Sequence, residues 1–230
     1  MENNKKALVL FSGGLDSATA LMIARSEGFH CTTLTINYHQ RHLHEIEASK
    51  SFLEDYPDID SKIFDFDLSV IGGSALTDKK ILVPNTPTDG IPITYVPARN
   101  TIFLSIASSF AEILQIYNIF LGVNQIDYSG YPDCRPEYIR AFEEMINLGT
   151  KTGVEGEKIK LHTPLINMSK VEIIKKGKKL NIDYSKTLSC YSPNKKGQAC
   201  GVCDACRFRK QGFLDANIED PTQYKKIEKL

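Results

Sequence analysis

The sequence has no tryptophan, only four methionines, and equal numbers of basic and acidic side chains, 28 of each. A formal net charge of zero provides no overall attraction to polynucleotides or membrane surfaces, so composition points to neither partner. No run of apolar residues approaches the 18 or more that a membrane-spanning helix needs. The apolar run near the N-terminus is too short for a signal peptide. These absences predict a cytoplasmic protein that does not contact a membrane.

Charge is nevertheless unevenly distributed along the chain. Residues 1–150 carry 11 basic and 19 acidic side chains, whereas residues 151–230 carry 17 basic and 9 acidic ones. A solvated, lysine-rich face around residues 175–179 explains the basic C-terminal third better than a polynucleotide-binding patch does. Nucleic acid is therefore not an expected partner.

The pattern of hydrophobic residues indicates an α/β fold. Hydrophobic residues make up 42% of the 230 residues, enough to bury a sizeable core. Strand-like and helix-like runs alternate over the first 67 residues, with strands predicted at 7–11, 29–37 and 61–67 and helices at 18–27 and 43–55. This alternation predicts an open parallel sheet whose strands are joined by right-handed crossovers.

Regular structure resumes after a long segment, residues 69–97, that is dense in Gly, Pro and Thr and is predicted to be irregular. The runs beyond it predict a helix at 100–116, a strand at 119–123, a helix from Pro136, and a helix from a capping box at Ser169 to about residue 180. There is no internal repeat or low-complexity linker. We therefore expect one domain, residues 1–230, that includes a small C-terminal element at residues 186–215.

The run SGGLDS, which begins at Ser12, directly follows the first predicted strand. Ligands of open parallel sheets bind beyond the carboxyl ends of the strands, where a glycine-rich turn exposes backbone N–H groups. Gly13 and Gly14 allow a phosphate to approach the backbone, Ser12 and Ser17 add hydroxyl groups, and Asp16 can hold Mg²⁺. The run lacks the lysine and spacing of G-x-x-x-x-G-K-[ST], and it does not fit G-x-G-x-x-G. It therefore predicts a phosphate-binding loop of another kind.

Four of the six cysteines lie close together near the C-terminus, at Cys190, Cys200, Cys203 and Cys206. Two overlapping C-x-x-C steps allow three thiolates to converge on one ion, and the fourth cysteine can complete a tetrahedron. A structural Cys₄ zinc site is the first interpretation. A [4Fe–4S] cluster is the alternative because it also takes four thiolates, and a redox or unliganded role stays open.

The run SGGLDS resembles the pyrophosphate loop, S-G-G-x-D-S, of the N-type ATP pyrophosphatases. These adenylating enzymes share a Rossmann-like sheet, so the resemblance implies an open parallel sheet with helices on both faces, of the adenine nucleotide alpha hydrolase type. It also implies catalytic roles for Asp16 and Ser17. The residues expected to bind ATP are Phe11, Ser12, Gly13, Gly14, Leu15, Asp16, Ser17 and Ala18.

Further runs resemble the 7-cyano-7-deazaguanine synthase family in the same order along the chain. They are YHQRH, GIPITYVPARN, GVNQIDYSGYPDCR, HTPL and SCY followed by CGVCDAC, and the resemblance extends over about residues 7–213. One position departs from the family pattern, because His39 stands where the family usually has glycine in YGQRH. We expect this to be a surface substitution of little consequence.

The second resemblance implies an ATP-dependent ligase of queuosine biosynthesis. It would convert 7-carboxy-7-deazaguanine and ammonia to 7-cyano-7-deazaguanine through an adenylated acid and an adenylated amide, using ATP with Mg²⁺ and releasing AMP and diphosphate. The resemblance also implies one structural Zn²⁺ per chain and a homodimer. Because the chain has no room for a glutaminase domain, free ammonium or a partner protein is the expected nitrogen source. We assign substrate binding to Gln40, Arg41, Arg99, Asn100, Asp127, Tyr131 and Asp133, and Arg99 is also a catalytic candidate.

Three other functions remain open at this stage. A tRNA-thiolating enzyme, or another adenylating pyrophosphatase, would share the same loop, but the thiolating enzymes commonly need a cysteine pair outside a zinc site. Only Cys31 and Cys134 are available for such a pair. A zinc-stabilised nucleotide-binding module without catalysis is disfavoured by the presence of Asp16. A relative that attaches a deazaguanine to a protein would use the same adenylate.

Overall fold

The computed structural model describes residues 5–41, 44–86, 90–126 and 131–226. Within these residues, five strands form one sheet in the order β3-β2-β1-β4-β5, and every neighbouring pair is parallel. The predicted open parallel sheet is therefore confirmed. Its strands are β1 Lys6–Leu10, β2 His30–Asn37, β3 Asp60–Asp65, β4 Asn118–Phe120 and β5 Lys160–His162.

Helices connect these strands. None of the described helices is both long enough and apolar enough to cross a membrane. Short 3₁₀ turns lie at Pro132–Cys134 and Tyr184–Lys186. The α-helices are α1 Leu15–Ser26, α2 His44–Leu53, α3 Arg99–Leu114, α4 Pro136–Gly149, α5 Lys151–Val154, α6 Lys170–Lys179 and α7 Asp204–Ala216.

The central strand β1 divides the core into two parts because successive side chains point to opposite faces of the sheet. Ala7 and Val9 are buried in one cluster, together with residues of α1, α6 and α7. Leu8 is buried on the other face, against residues of α3 and α4. Helices thus cover both faces of the sheet, as the resemblance to the ATP pyrophosphatases implied.

The predicted start of the first helix was wrong. Helix α1 begins at Leu15 and not at residue 18, with Gly14 as its N-cap in an extended conformation. The sequence interpretation treated all of SGGLDS as loop, whereas Asp16 and Ser17 belong to the first helical turn. A carboxylate in that turn interacts favourably with the partial positive charge of the helix N-terminus, which supports the earlier start.

Other local predictions are confirmed. The described residues between Phe66 and Ala98 contain no strand or helix, in agreement with the predicted irregular segment. Helix α4 begins at Pro136. Helix α6 has the predicted capping box, in which Ser169 Oγ accepts the N–H of Glu172 and the Glu172 carboxylate accepts the N–H of Ser169. The sequence analysis did not predict β5 or α7.

Candidate active site

A cavity of about 230 Å³ opens at the carboxyl ends of β1, β2 and β4. The strand order reverses between β1 and β4, because β2 and β3 lie on one side of β1 and β4 and β5 on the other. Ligands of doubly wound sheets bind in the crevice at such a reversal. The SGGLDS loop connects β1 to α1 at this point and forms part of the cavity wall.

The loop conformation depends on Gly13. Its φ of +78° lies in the left-handed region, and a Cβ atom there would lie 2.6 Å from the backbone nitrogen of Ser49 and 2.7 Å from the carbonyl oxygen of Glu45. No residue with a side chain fits this position without moving the backbone of α2. The loop therefore packs directly against the first turns of α2.

Two serine hydroxyls stabilise the loop through hydrogen bonds within it. The Oγ atoms of Ser12 and Ser17 are 3.2 Å apart, and Ser17 Oγ also accepts the N–H of Ser12 at 3.2 Å. Ser17 Oγ donates to the carbonyl oxygen of Gly14 at 3.1 Å. These hydrogen bonds hold the backbone between the strand and the helix in a compact turn, whose N–H groups lie at the positive end of α1.

Lys170 is a site residue that the sequence analysis missed. Its Nζ lies 2.7 Å and 2.9 Å from the two carboxylate oxygens of Asp16, and only 8% of the lysine is exposed. The two residues are 154 positions apart, and Lys170 is the first residue of α6. The only sequence signal was its position directly after the capping residue Ser169, which gives no indication of a partner. The ion pair places a buried positive charge beside the loop.

Gly122, at the end of β4, allows α1 to approach the sheet closely. A Cβ atom on Gly122 would lie 2.8 Å from the carbonyl carbon of Asp16 and 2.8 Å from the backbone nitrogen of Ser17. Because these are backbone atoms in the first turn of a helix, they cannot move aside as a flexible side chain would. Gly122 therefore fixes the distance between the loop and β4.

Arg99 and Asn100 begin helix α3 and line the same cavity as the SGGLDS loop. Burial opposes the charge of Arg99, but the nearby Tyr38 and Tyr131 hydroxyls raise its pKa above the ordinary value, so the guanidinium stays positive. Asn100 connects this helix start to the 3₁₀ turn before α4, because its backbone N–H donates to Asp133 Oδ2 and its side chain donates to the Asp133 carbonyl oxygen, both at 3.0 Å.

Asp133 retains a free acceptor in this arrangement. The residue is 5% exposed, and its second carboxylate oxygen, Oδ1, is buried without a hydrogen-bond partner among the described residues. A buried polar atom without a partner carries a substantial free-energy cost. The arrangement therefore fits a carboxylate that can accept a hydrogen bond from a ligand.

Three other predicted substrate residues already have partners within the protein. Gln40 Oε1 accepts the N–H of Tyr38 at 3.1 Å. Arg41 Nη1 donates to carbonyl oxygens of the irregular segment, at Ala75 and Ile81. The Tyr131 hydroxyl lies 2.9 Å from the Thr94 hydroxyl. Arg41 therefore anchors the irregular segment at the cavity rim.

The backbone conformation of His39 accounts for the glycine that usually stands at this position in the family that the sequence resembles. Its φ of +56° lies in the left-handed region that glycine adopts without strain. The exposed imidazole is anchored outside the cavity, with Nε2 2.9 Å from Asp65 Oδ1, and this hydrogen bond raises the pKa of His39. The departure from the family pattern thus lies on the surface, as expected.

The four clustered cysteines converge as predicted. All four are buried, and their sulfur atoms lie within 4.8 Å of one another. The Cys190 sulfur accepts the N–H groups of Ser192 and Cys200, and the Cys200 sulfur accepts the N–H groups of Val202 and Cys203. Four buried sulfurs at this spacing, with backbone N–H groups directed at them, fit a tetrahedral metal site.

The residues around Cys190 form a strap across the loop, which we define as Leu188–Tyr191. The backbone N–H of Leu188 donates to the carbonyl oxygen of Gly13 at 3.0 Å, and Ser189 Oγ accepts the N–H of Leu15 at 3.3 Å. Leu188, Ser189 and Tyr191 also line the cavity. The cysteine cluster therefore anchors a segment that holds the SGGLDS loop.

Most of the predicted site residues meet at the cavity. Gly13, Ala18 and Asp133 do not line it, and Asp133 adjoins it through its hydrogen bonds with the lining residue Asn100. Asp127 lies outside the described residues. The remaining two cysteines are buried, and Cys134 also lines the cavity. The predicted residues that line it are Phe11, Ser12, Gly14, Leu15, Asp16, Ser17, Gln40, Arg41, Arg99, Asn100 and Tyr131.

Solved structures with a similar backbone support the fold class. A predicted subunit of tRNA methyltransferase from Methanocaldococcus jannaschii aligns with a TM-score of 0.50 at 15% identity, covering 97% of this chain and 94% of that one. A 4-thiouridine synthetase solved with RNA and bound ATP also gives a TM-score of 0.50, at 18% identity, covering 91% of this chain and 53% of that one. The sheet, the helices on both faces and these neighbours confirm the predicted α/β fold with an open parallel sheet.

Sequence comparison identifies the family to which the chain belongs. The 7-cyano-7-deazaguanine synthase of Methylococcus capsulatus is 57% identical over 221 residues, which cover 96% of this chain and 99% of that protein. The synthase of Saccharophagus degradans is 56% identical over 222 residues, with the same coverage. The family model described as queuosine biosynthesis protein QueC matches residues 6–217. The chain therefore belongs to the QueC family of queuosine biosynthesis proteins.

Proposed function

We propose that the chain is an ATP-dependent ligase that converts 7-carboxy-7-deazaguanine and ammonia to 7-cyano-7-deazaguanine. The observation that carries this proposal is the cavity itself, whose lining brings together the SGGLDS loop and Arg99. The loop offers a phosphate-binding site, and the arginine can bind a carboxylate. The names of the relatives support the choice of substrate.

The loop wall fits the polyphosphate of ATP. The backbone N–H groups at the start of α1 and the Ser12 and Ser17 hydroxyls are the hydrogen-bond donors for the departing diphosphate. Asp16 fits the Mg²⁺ of the ATP complex, which supplies charge neutralisation on the phosphates. Lys170 adds a buried positive charge at the same place. These groups stabilise the negative charge that develops as diphosphate leaves.

The part of the cavity around Arg99 fits a deazaguanine carboxylate. Arg99 stays charged and can donate two parallel hydrogen bonds to a carboxylate or a phosphate. Asp133, which is hydrogen-bonded to the lining residue Asn100, has a buried acceptor, Oδ1, without a partner among the described residues, and this acceptor suits the amine and imide donors of the ring. Tyr131 borders the same cavity and offers an aromatic face. Gln40, Arg41, Asn100 and Asp127 complete the proposed substrate residues, with Arg41 acting through the irregular segment.

The proposed reaction uses two adenylations at one site. A carboxylate oxygen attacks the α-phosphorus of ATP, diphosphate leaves, and ammonia then displaces AMP to give the amide. The amide oxygen attacks a second ATP, diphosphate leaves again, and loss of AMP with two protons from nitrogen yields the nitrile. Each dehydration is thereby coupled to the release of one diphosphate.

The cysteine cluster is proposed to hold one structural Zn²⁺. A closed set of four thiolates leaves no open coordination position, so its role is to stabilise the strap Leu188–Tyr191 beside the loop. Ammonium is the proposed nitrogen source. The homodimer and the cytoplasmic location stay predictions.

Mass spectrometry of a defined reaction tests the proposal. Purified protein is incubated with 7-carboxy-7-deazaguanine, MgATP and ammonium chloride without glutamine, beside Asp16→Asn and the exposed control Asp215→Asn. We expect the nitrile, AMP and diphosphate from the wild type and the control, and at least a 100-fold loss in Asp16→Asn, about the effect of removing one essential electrostatic group. Absence of nucleotide turnover in the wild type would contradict the proposal, and adenylated tRNA or protein as product would redirect it.

A further inference from the structure

We propose that Glu45 accepts the protons that nitrogen loses during amide and nitrile formation. This inference rests on the proposed function and names a step within it. Both reactions release protons from nitrogen, so a base within reach would accelerate them. Glu45 was not among the residues that the sequence analysis singled out.

Glu45 belongs to the cavity by its position in the fold. It lies in the first turn of α2, whose backbone packs against Gly13 of the phosphate loop. Its side chain is partly buried and lines the same cavity as Asp16 and Arg99. No described residue donates a hydrogen bond to its carboxylate. By contrast, Glu47 on the same helix is exposed and pairs with His44, outside the cavity.

The other ionisable groups at the cavity are less suited to this task. Arg99 stays positive, and burial raises the pKa of Tyr38 and of Cys134 to about 12, so these groups hold their protons at neutral pH. The carboxylate of Asp16 is engaged by Lys170. Of the described histidines, none lines the cavity, and His42 lies outside the described residues. The remaining ionisable neighbours are Arg41, Tyr131 and Tyr191.

The surroundings of Glu45 tune its basicity. Burial raises its pKa to about 7, against the opposing effect of the Arg99 charge. A base whose pKa lies near the working pH combines a useful ionised fraction with sufficient proton affinity. Since a carboxyl is the base only when ionised, the steps that depend on Glu45 should accelerate as pH rises through about 7.

Amide formation and nitrile formation both transfer protons from nitrogen to the Glu45 carboxylate. In amide formation, nitrogen bonds to the acyl carbon, the bond between that carbon and the adenylate oxygen breaks, AMP leaves with the electron pair, and one N–H proton moves to the Glu45 carboxylate. In nitrile formation, Glu45 accepts the two nitrogen protons of the adenylated amide one after the other, the carbon–nitrogen triple bond forms, the carbon–oxygen bond breaks, and AMP leaves with the former amide oxygen and the electron pair. Glu45 returns each proton to solvent before the next transfer.

Single-turnover kinetics of Glu45→Gln test the inference, with Glu47→Gln as the matched control on the same helix. We expect the first diphosphate release to be retained in Glu45→Gln, while amide and nitrile formation slow by about 100-fold or more. The wild-type rates of these two steps should rise as pH increases through about 7 and level off above it, and this dependence should disappear in Glu45→Gln. Glu47→Gln should behave as the wild type at every pH.

Two controls separate the possible failures. Thermal unfolding shows whether Glu45→Gln is folded, and its stability relative to the wild type should increase with pH because ionised Glu45 disfavours the folded state. If the wild type makes no nitrile, the proposed function fails. If the wild type makes nitrile but Glu45→Gln retains the rates and the pH profile, or loses the first diphosphate release instead, the inference about Glu45 is overturned.

Discussion

Replacing Lys170 with methionine should destabilise the protein and disrupt the phosphate loop. The substitution removes the charge that lies 2.7 Å and 2.9 Å from the two Asp16 oxygens and leaves that carboxylate unpaired. Methionine preserves much of the side-chain volume, so the lost ion pair dominates the effect. The exposed Lys175 on the same helix provides the matched control, Lys175→Met.

The burial of the pair sets the expected magnitude. Removing one partner of a fully buried ion pair costs about 3–5 kcal/mol. Here the Lys170 side chain is 9% exposed and that of Asp16 is 18% exposed, so water compensates part of the loss. We expect a decrease of about 2–3 kcal/mol in the free energy of unfolding. With a urea m-value of about 2.5 kcal/mol/M, the midpoint falls by about 1 M.

Urea unfolding of four proteins measures the interaction directly. The wild type, Lys170→Met, Asp16→Asn and the double variant form a double-mutant cycle, for which we expect a coupling energy of about 1–3 kcal/mol. The double variant should lose less stability than the two single variants lose together, because no unpaired charge remains buried in it. A midpoint shift no larger than that of Lys175→Met, or a coupling energy near zero, would refute the reasoning.

Three further predictions concern the packing, the metal site and the pH dependence of stability. Gly122→Ala should lower the free energy of unfolding by about 1–3 kcal/mol and weaken ATP binding in titration calorimetry, because the new Cβ would lie 2.8 Å from the α1 backbone. The control Gly149→Ala should lower the free energy of unfolding less, because there is open space around its Cβ. Cys203→Ser should lose the proposed Zn²⁺ in elemental analysis and lose ATP affinity through the strap, whereas Cys31→Ala should keep both. Burial lowers the pKa of His162 to about 4, so neutral His162 favours the folded state and the protein loses stability as pH falls from about 6.5 to 4. The variant His162→Gln should reduce this acid destabilisation by about 2–3 kcal/mol, and an unchanged pH profile of stability would contradict the prediction.

The order of elements and the phosphate loop could be predicted from the sequence because both depend on local patterns. The apolar run of β1, the glycines after it and the capping box at Ser169 each determine structure within a few residues. Strand β5 could not be recognised because only one of its three residues, Leu161, is apolar, whereas β4, which is equally short, belongs to an apolar run. The start of α1 was missed because Asp16 and Ser17 serve both the loop and the first helical turn.

The contacts that complete the site could not be predicted because they join distant parts of the chain. Nothing near Lys170 indicates that it pairs with Asp16, 154 residues away. Arg41 has the chemistry of a ligand-binding residue, yet its guanidinium binds carbonyl oxygens of the irregular segment. Glu45 gains its significance from burial beside Arg99, which depends on the packing of α2 against the loop.

The central claim is that each carboxylate oxygen of the substrate leaves on a separate molecule of AMP. The most direct measurement uses 7-carboxy-7-deazaguanine labelled with ¹⁸O at both carboxylate oxygens, with mass spectrometry of the AMP and the nitrile formed from MgATP and ammonium. The account predicts two AMP molecules per nitrile, each with one labelled oxygen, and unlabelled diphosphate. Nitrile formed with label in inorganic phosphate, or with unlabelled AMP, would contradict it.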